Sequence, residues 1–177
     1  MRPGVAGVRS EKTETLEVQE SLADLDSVPQ LTTAEQFISA DPKTIDLAIA
    51  DRIVAAGRGV GGPDGIALAA KLAETLHASL GASRMAVDLG WVSPARQVGQ
   101  TGRTVCPDLY VACGISGASH HLAGMRSSKH IIAINSDPKA PIHDVAHLSL
   151  PGDLHRVIPA VIAALQQRLK TLSGDPS

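Results

Sequence analysis

The run Ile131-Ile132-Ala133-Ile134 constrains the fold of this chain more than any other four residues. A strand through consecutive apolar positions is apolar on both faces, so both faces need cover. Strands of that kind lie in the middle of parallel sheets flanked by helices. The material for the rest of the core points the same way: Phe37, Trp91 and Tyr110 are the only aromatic residues, so Ala, Val, Ile and Leu must fill it. The expectation is an α/β fold, a three-layer sandwich around a mostly parallel sheet.

The order of signals along the chain supports that class. Asp51 to Gly57 reads as a buried first strand that runs into Arg58-Gly59-Val60-Gly61-Gly62-Pro63-Asp64-Gly65. Ile66, Ala69, Ala70, Ala73, Leu76 and Leu80 then recur at helical spacing. Strand, glycine loop and helix open a dinucleotide-binding βαβ unit, although the glycines do not fall at G-x-G-x-x-G positions and a plain connector gives the same pattern. Ala82 to Asp88 is expected as a second strand, Leu109 to Cys113 as a third, Ser116 to Gly124 as a short helix and Lys129 to Asn135 as a fourth strand. A helical segment at 142–146 and a strand at 147–150 follow. A long amphipathic helix is marked by Leu154, Val157, Ile158, Val161, Ile162, Leu165 and Leu169, with Asp153 as its cap and a kink or restart at Pro159. Residues 1–50 are polar, acidic and weakly periodic, and read as an extension, with a short strand at 16–18 and a short helix at 33–40. Residues 51–170 form the domain and 171–177 a flexible tail.

Composition removes several classes of function. A net charge of −2 with no polybasic cluster supplies no field for non-specific nucleic-acid or membrane-surface binding. No apolar run approaches the length of a membrane span, and Glu11, Glu14, Glu17 and Glu20 do not suit a mitochondrial transit peptide, so a soluble cytoplasmic protein is expected. Cys106 and Cys113 match no zinc or redox spacing, the seven histidines show no metal pattern, and there is no G-x-S-x-G elbow. If a reaction occurs, a cofactor carries it.

Two small, glycine-punctuated runs are left, Gln97-Val98-Gly99-Gln100-Thr101-Gly102 and Gly114-Ile115-Ser116-Gly117-Ala118-Ser119-His120-His121. Their backbones can approach a flat or phosphate-bearing ligand. Ligands of open parallel sheets bind off the carboxyl ends of the strands, where this reading puts Arg58, residues 99–101, 116–121, Asn135 and Asp153. Backbone N–H groups at Ser116 and Gly117 with the Arg58 cation suit a pyrophosphate, and Asn135 and Asp153 suit ribose hydroxyls. Solvated loop, turn and cap roles for Arg58, Asn135 and Asp153 remain open. His120 and His121 adjoin on a helix, point about 100° apart, and cannot both face one ligand atom.

From about Ile53 to Leu169 the chain resembles the C-terminal, FAD-binding domain of the electron transfer flavoprotein alpha subunit. The resemblance rests on Gly57-Arg58-Gly59, Gly81-Ala82-Ser83-Arg84, the run 97–102, Gly114-Ile115-Ser116-Gly117-Ala118, His121-Leu122-Ala123-Gly124-Met125, and Ala133 to Ile142. It implies a Rossmann-like fold, FAD as cofactor, and contacts at Arg58, Ser83, Arg84, Val98, Gly99, Gln100, Thr101, Ser116, Gly117, Ala118, Ser119, His120, His121, Asn135, Asp153 and Leu154. Arg84 would lie by the isoalloxazine ring, the Thr101 hydroxyl would meet N5, and His121 would donate toward the C2 carbonyl, all favouring an electron-rich ring. Ser119 and His120 stand where the family has an aliphatic residue and a glutamine.

The resemblance further implies an electron carrier rather than a substrate-converting enzyme. Its partners would be the electron transfer flavoprotein beta subunit and dehydrogenases such as the acyl-CoA dehydrogenases of fatty acid beta-oxidation. Met1 to Val5 resembles the end of the family's preceding domain and residues 6–50 the connection after it, so the chain reads as a shortened alpha subunit. A dinucleotide- or AMP-binding module without redox chemistry is the alternative.

Overall fold

The structure is a computed structural model that describes residues 41–172. The strand expected at 16–18 and the helix expected at 33–40 lie outside the described residues, as does the Met1 to Val5 segment. A short 3-10 turn, Leu47–Ile49, buries Leu47 and leads into the sheet. The elements then alternate as β1 Arg52–Ala56, α1 Pro63–Thr75, β2 Ser79–Ala82, α2 Arg84–Asp88, β3 Leu109–Cys113, α3 Ser119–Met125, β4 His130–Asn135, α4 Ile142–Val145, β5 Leu148–Pro151 and α5 Leu154–Leu172. All pairings are parallel in the order β2-β1-β3-β4-β5, with Val54 opposite Val111 and Val111 opposite Ile132. This is the α/β Rossmann-like sandwich expected from the sequence.

Alternation along the central strands feeds two cores. Ile53, Ala55, Tyr110, Ala112, Ile131 and Ala133 face a cluster completed by Leu47, Val98, Val105, Met125 and Ile142. Val54, Ala56, Val111, Cys113 and Ile134 face the other, closed by Leu72 of α1 and Leu154, Ile158 and Ile162 of α5. With both faces covered, β4 needs the unbroken apolar run that its sequence provides.

Two local expectations are corrected and a third, the kink or restart at Pro159, is narrowed. The second strand ends where it was expected to begin: β2 is the small-residue stretch Ser79-Leu80-Gly81-Ala82, and Arg84–Asp88 is a helix. Ser83 turns the chain by donating its N–H to the Ala56 carbonyl (2.9 Å), after which Ala86 is the one residue of α2 that is buried. The helix expected from Ser116 starts at Ser119, since Ser116 spends its carbonyl on the N–H of Ile142 (3.1 Å). Finally, α5 runs through Pro159 without a restart, with Pro159 exposed and Ile158 and Ile162 inward. Asp153 caps it as expected, its Oδ1 accepting from the His155 N–H at 2.9 Å. Among the described residues no helix is long and apolar enough to cross a membrane.

Candidate functional site

The carboxyl ends of all five strands fall on one edge of the sheet, and hydrogen bonds join them into a continuous rim. From β2, Val98 N–H donates to the Ala82 carbonyl and Ser83 N–H to that of Ala56 (both 2.9 Å). Gly57 N–H donates to Cys113 and Gly114 N–H to Ile134 (both 2.8 Å), which sews β1 to β3 and β3 to β4. The Asn135 amide donates to the Ile115 carbonyl (2.8 Å), and Gly152 N–H reaches the Asn135 carbonyl (3.0 Å). Every residue singled out from the sequence lies on or directly beside this rim, although those residues are scattered from position 58 to position 154.

The strand order reverses between β1 and β3, the place where open α/β sheets hold ligands. Here the two loops touch backbone to backbone. Gly59 N–H donates to the Gly114 carbonyl (2.9 Å), and a Cβ on Gly57 would overlap that same oxygen. Gly114 itself has φ +62° with Gly59 C 2.6 Å from where its Cβ would stand. Arg58 is exposed on this contact, and its side chain makes no hydrogen bond or ion pair among the described residues.

The run 97–102 lies on α3. Gln100 N–H donates to the His120 carbonyl (2.8 Å), and a Cβ on Gly124 would come within 2.5 Å of Gly99 Cα. Its outer side chains, Gln97 half-buried and Gln100, Thr101 and His120 exposed, are singly tied: Gln97 Nε2 donates to Thr101 Oγ1 (2.9 Å), and His120 Nδ1 and Gln100 Oε1 are 2.6 Å apart. Arg84 is exposed and pairs loosely with Asp88 one turn on (3.4 Å). Ser116, Ala118 and Ser119 are exposed and Gly117 is buried.

Several of these residues do structural work as well. Asn135 spends one amide hydrogen on Ile115, and its Oδ1 accepts from the Asp137 N–H (3.0 Å), which leaves one N–H and one lone pair. Asp153 spends one oxygen on its cap, and the Leu154 side chain is core, so only the Leu154 backbone faces the rim.

His121 behaves differently from its neighbour. It is 7% exposed, and its Nε2 stands 3.0 Å from the hydroxyl of the fully buried Tyr110, while its Nδ1 is buried without a hydrogen-bond partner. Burial pushes the imidazole down to about 4, with the Val98 backbone pulling partway back. Burial also raises Tyr110 well above the usual phenol range and Cys113 to about 12. Sequence reasoning missed Tyr110 as part of this site. Period-two alternation puts it on one face of β3, but nothing in the sequence says that this face meets α3.

Residues 46–126 match the family model described as the electron transfer flavoprotein FAD-binding domain. This stretch belongs to that family. The chain is 52% identical to the electron transfer flavoprotein subunit alpha of Thermoanaerobacterium thermosaccharolyticum over 123 residues, 70% of this chain and 37% of that protein. It is 43% identical to the subunit of the same name from Syntrophomonas wolfei over 94% of this chain and 52% of that one. The Bacillus subtilis subunit is 45% identical over 90% and 47%. The chain thus spans about half the length, or less, of these curated relatives.

FAD is the cofactor of this flavoprotein domain. The residues present fit it on two observations. Glycines at 57, 59, 99 and 114 keep the rim free of side chains where backbone meets backbone, and one buried polar atom, His121 Nδ1, is left in want of a partner beside the run 97–102.

Proposed function

We propose that the rim holds one FAD molecule and that, within the complete protein, the domain carries electrons from a dehydrogenase to a downstream oxidoreductase. The observation that carries this reading is the rim itself: five strand ends joined by hydrogen bonds, with the family's glycine runs on it. When bound, the flavin supplies the redox chemistry. The chain's own residues bind and orient. Arg58, with the backbone of Ser116, Gly117, Ala118 and Ser119, would neutralise and hold the pyrophosphate, a role assigned to loop N–H groups rather than to a helix terminus because α3 starts later. The free polar valences of Asn135 and Asp153, with the Leu154 backbone, would hold ribose.

Ser83, Arg84, Val98, Gly99, Gln100, Thr101, His120 and His121 would surround the ring. Arg84 is the one full cation of that group, and its loose pairing with Asp88 leaves it able to turn to a ligand. His120 would occupy the glutamine's place while locking the run 97–102 through Gln100. A beta subunit is the expected partner, acyl-CoA and related dehydrogenases the expected donors, and the cytoplasm the expected compartment. Titration of the purified chain with FAD, followed by flavin fluorescence and by bleaching with dithionite, tests the reading. A 1:1 complex that bleaches is expected, and Thr101→Ala should shift its reduction potential. Protein that stays colourless and cannot be loaded with FAD overturns it.

A further inference from the structure

Two arginines flank the run 97–102, Arg96 immediately before it and Arg103 immediately after, and both reach the same stretch of chain. Arg96 is half-buried, and its guanidinium donates from Nη1 to the Ile45 carbonyl (3.0 Å) and from Nη2 to the Lys43 carbonyl. Arg103 Nη2 pairs with Asp46 Oδ2 at 3.3 Å. The segment 41–47 is held in turn on the body of the domain. The buried Ser79 hydroxyl, at the start of β2, donates to the Pro42 carbonyl (2.7 Å), Lys43 Nζ pairs with Glu74 of α1 (2.8 Å), and Leu47 lies in one core with Val98 and Val105.

The run itself is closed at its base by main chain. Arg103 N–H donates to the Gln97 carbonyl (2.7 Å) and Gly99 N–H to the Arg103 carbonyl (3.1 Å), while a Cβ on Gly102 would stand 2.3 Å from that Gln97 oxygen. A loop closed this tightly moves as a unit, so its position follows whatever holds its two ends. One end is tied to residues 43 and 45, the other to residue 46. The Arg96 fork is the stronger tie, since it is charge-assisted, planar and half-buried, whereas the exposed Arg103–Asp46 pair is screened by solvent.

We propose that Arg96 and Arg103 are positioning residues for the cofactor: by gripping residues 43–46 from both ends of the run 97–102, they fix that run to the segment that leads into β1, and so couple FAD binding to the order of that segment. The proposal rests on the reading that the rim holds FAD with the run 97–102 beside the ring. Coupling of this kind is reciprocal. A ligand that orders the run also orders residues 43–46, although their segment is anchored at Ser79, the end of β2 opposite the rim.

The test combines amide hydrogen exchange of the full chain, with and without FAD, with FAD titration of variants. The probes are Thr44 and Ile45, whose N–H groups both donate to the Asp41 carbonyl (3.0 Å). In the wild type, FAD should slow exchange at both by about 5-fold or more, the lower end of coupling between separate sites. Arg96→Met keeps the aliphatic stem and removes the fork. It should abolish that slowing and weaken FAD binding by about 5-fold or more. Arg96→Lys, with an ammonium in place of the fork, should fall between Arg96→Met and wild type. Arg103→Gln and Asp46→Asn break the exposed pair alone, since Asn keeps an Oδ1 for the Ala48 N–H (3.0 Å). Each should weaken FAD binding by about 2-fold, and the double variant by no more than either single one.

If Thr44 and Ile45 of the loaded wild type exchange as they do without FAD, the segment is a plain tether: the proposal is overturned and the FAD reading stands. Wild-type FAD affinity in Arg96→Met, or additive effects of Arg103→Gln and Asp46→Asn, overturn it as well. Should Arg96→Met not fold, the Arg103–Asp46 cycle and the wild-type exchange decide. If the wild-type chain cannot be loaded with FAD, the cofactor reading itself falls, and the proposal falls with it.

Discussion

Two parts of the rim are built by different means. At the reversal between β1 and β3 the loops are held by backbone hydrogen bonds, Gly59 on Gly114 and Gly57 on Cys113, with the Ile115 side chain packed on Gly57. The run 97–102 has a backbone seat on α3, but its outer surface is held by single side-chain hydrogen bonds between exposed residues and the half-buried Gln97. Backbone contacts of the first kind fail all at once when an atom is added. Exposed side-chain bonds are worth little singly and can be exchanged for a ligand. The first region reads as scaffold and the second as the adjustable part.

The sharpest way to break the contrast is Gly114→Ala. The left-handed backbone costs an alanine about 1–2 kcal/mol, and its Cβ would stand 2.6 Å from Gly59 C, which adds about 1–3 kcal/mol of overpacking. We expect a loss of about 3 kcal/mol or more in chemical denaturation, and with it the loss of FAD binding. An alanine that leaves the denaturation midpoint in place would show that the β1/β3 contact is not scaffold.

The pH dependence of stability gives the next largest effect and reports on the joint between the two regions. His121 is held near 4 in the folded chain, mainly by burial, against about 6.5 when unfolded. Below pH 6.5 the unfolded chain therefore binds a proton that the folded chain does not, and stability falls as pH is lowered toward 4, by about 1.4 kcal/mol per pH unit and roughly 3 kcal/mol in all. Above pH 6.5 the ring contributes no slope. Tyr110 and Cys113, the buried titratable neighbours, are both pushed upward and stay neutral throughout this window. His121→Gln should flatten this part of the stability profile; a slope that survives in the variant belongs to other groups.

How much of this was legible in the sequence follows the same division. The sheet could be read from β3 and β4, whose apolar runs have no other use. β2 could not, because Ser79-Leu80-Gly81-Ala82 has little strand propensity and pairs only through its parallel register with β1. Arg84 to Asp88 carried more branched and bulky residues and drew the strand assignment to itself. The rim residues were legible as a set, since glycine runs after strands signal close approach, and the resemblance gave each a role. Their second duties were not: that Asn135 braces the Ile115 carbonyl, or that Leu154 is core, depends on which loops meet. The Tyr110–His121 pair needed the packing of α3 against β3, a contact between elements with no local signature.

The smallest expected effect tests the adjustable region directly. Gln100→Ala removes the partner of His120 Nδ1 without touching the Gln100 backbone, whose N–H still reaches the His120 carbonyl. Both side chains are exposed, so water replaces the lost bond and the change in global stability should stay within about 0.5 kcal/mol. Local behaviour should differ. With the Gln100–His120 tie gone, amide hydrogen exchange over 99–102 should quicken while the β1/β3 loops at 57–59 and 114 keep their protection. FAD binding should weaken more than stability does, because the run must then be ordered by the ligand at a cost of about 1 kcal/mol per residue fixed. If exchange quickens equally at Gly57 and Gly114, the two regions open together and the distinction between scaffold and adjustable run is lost.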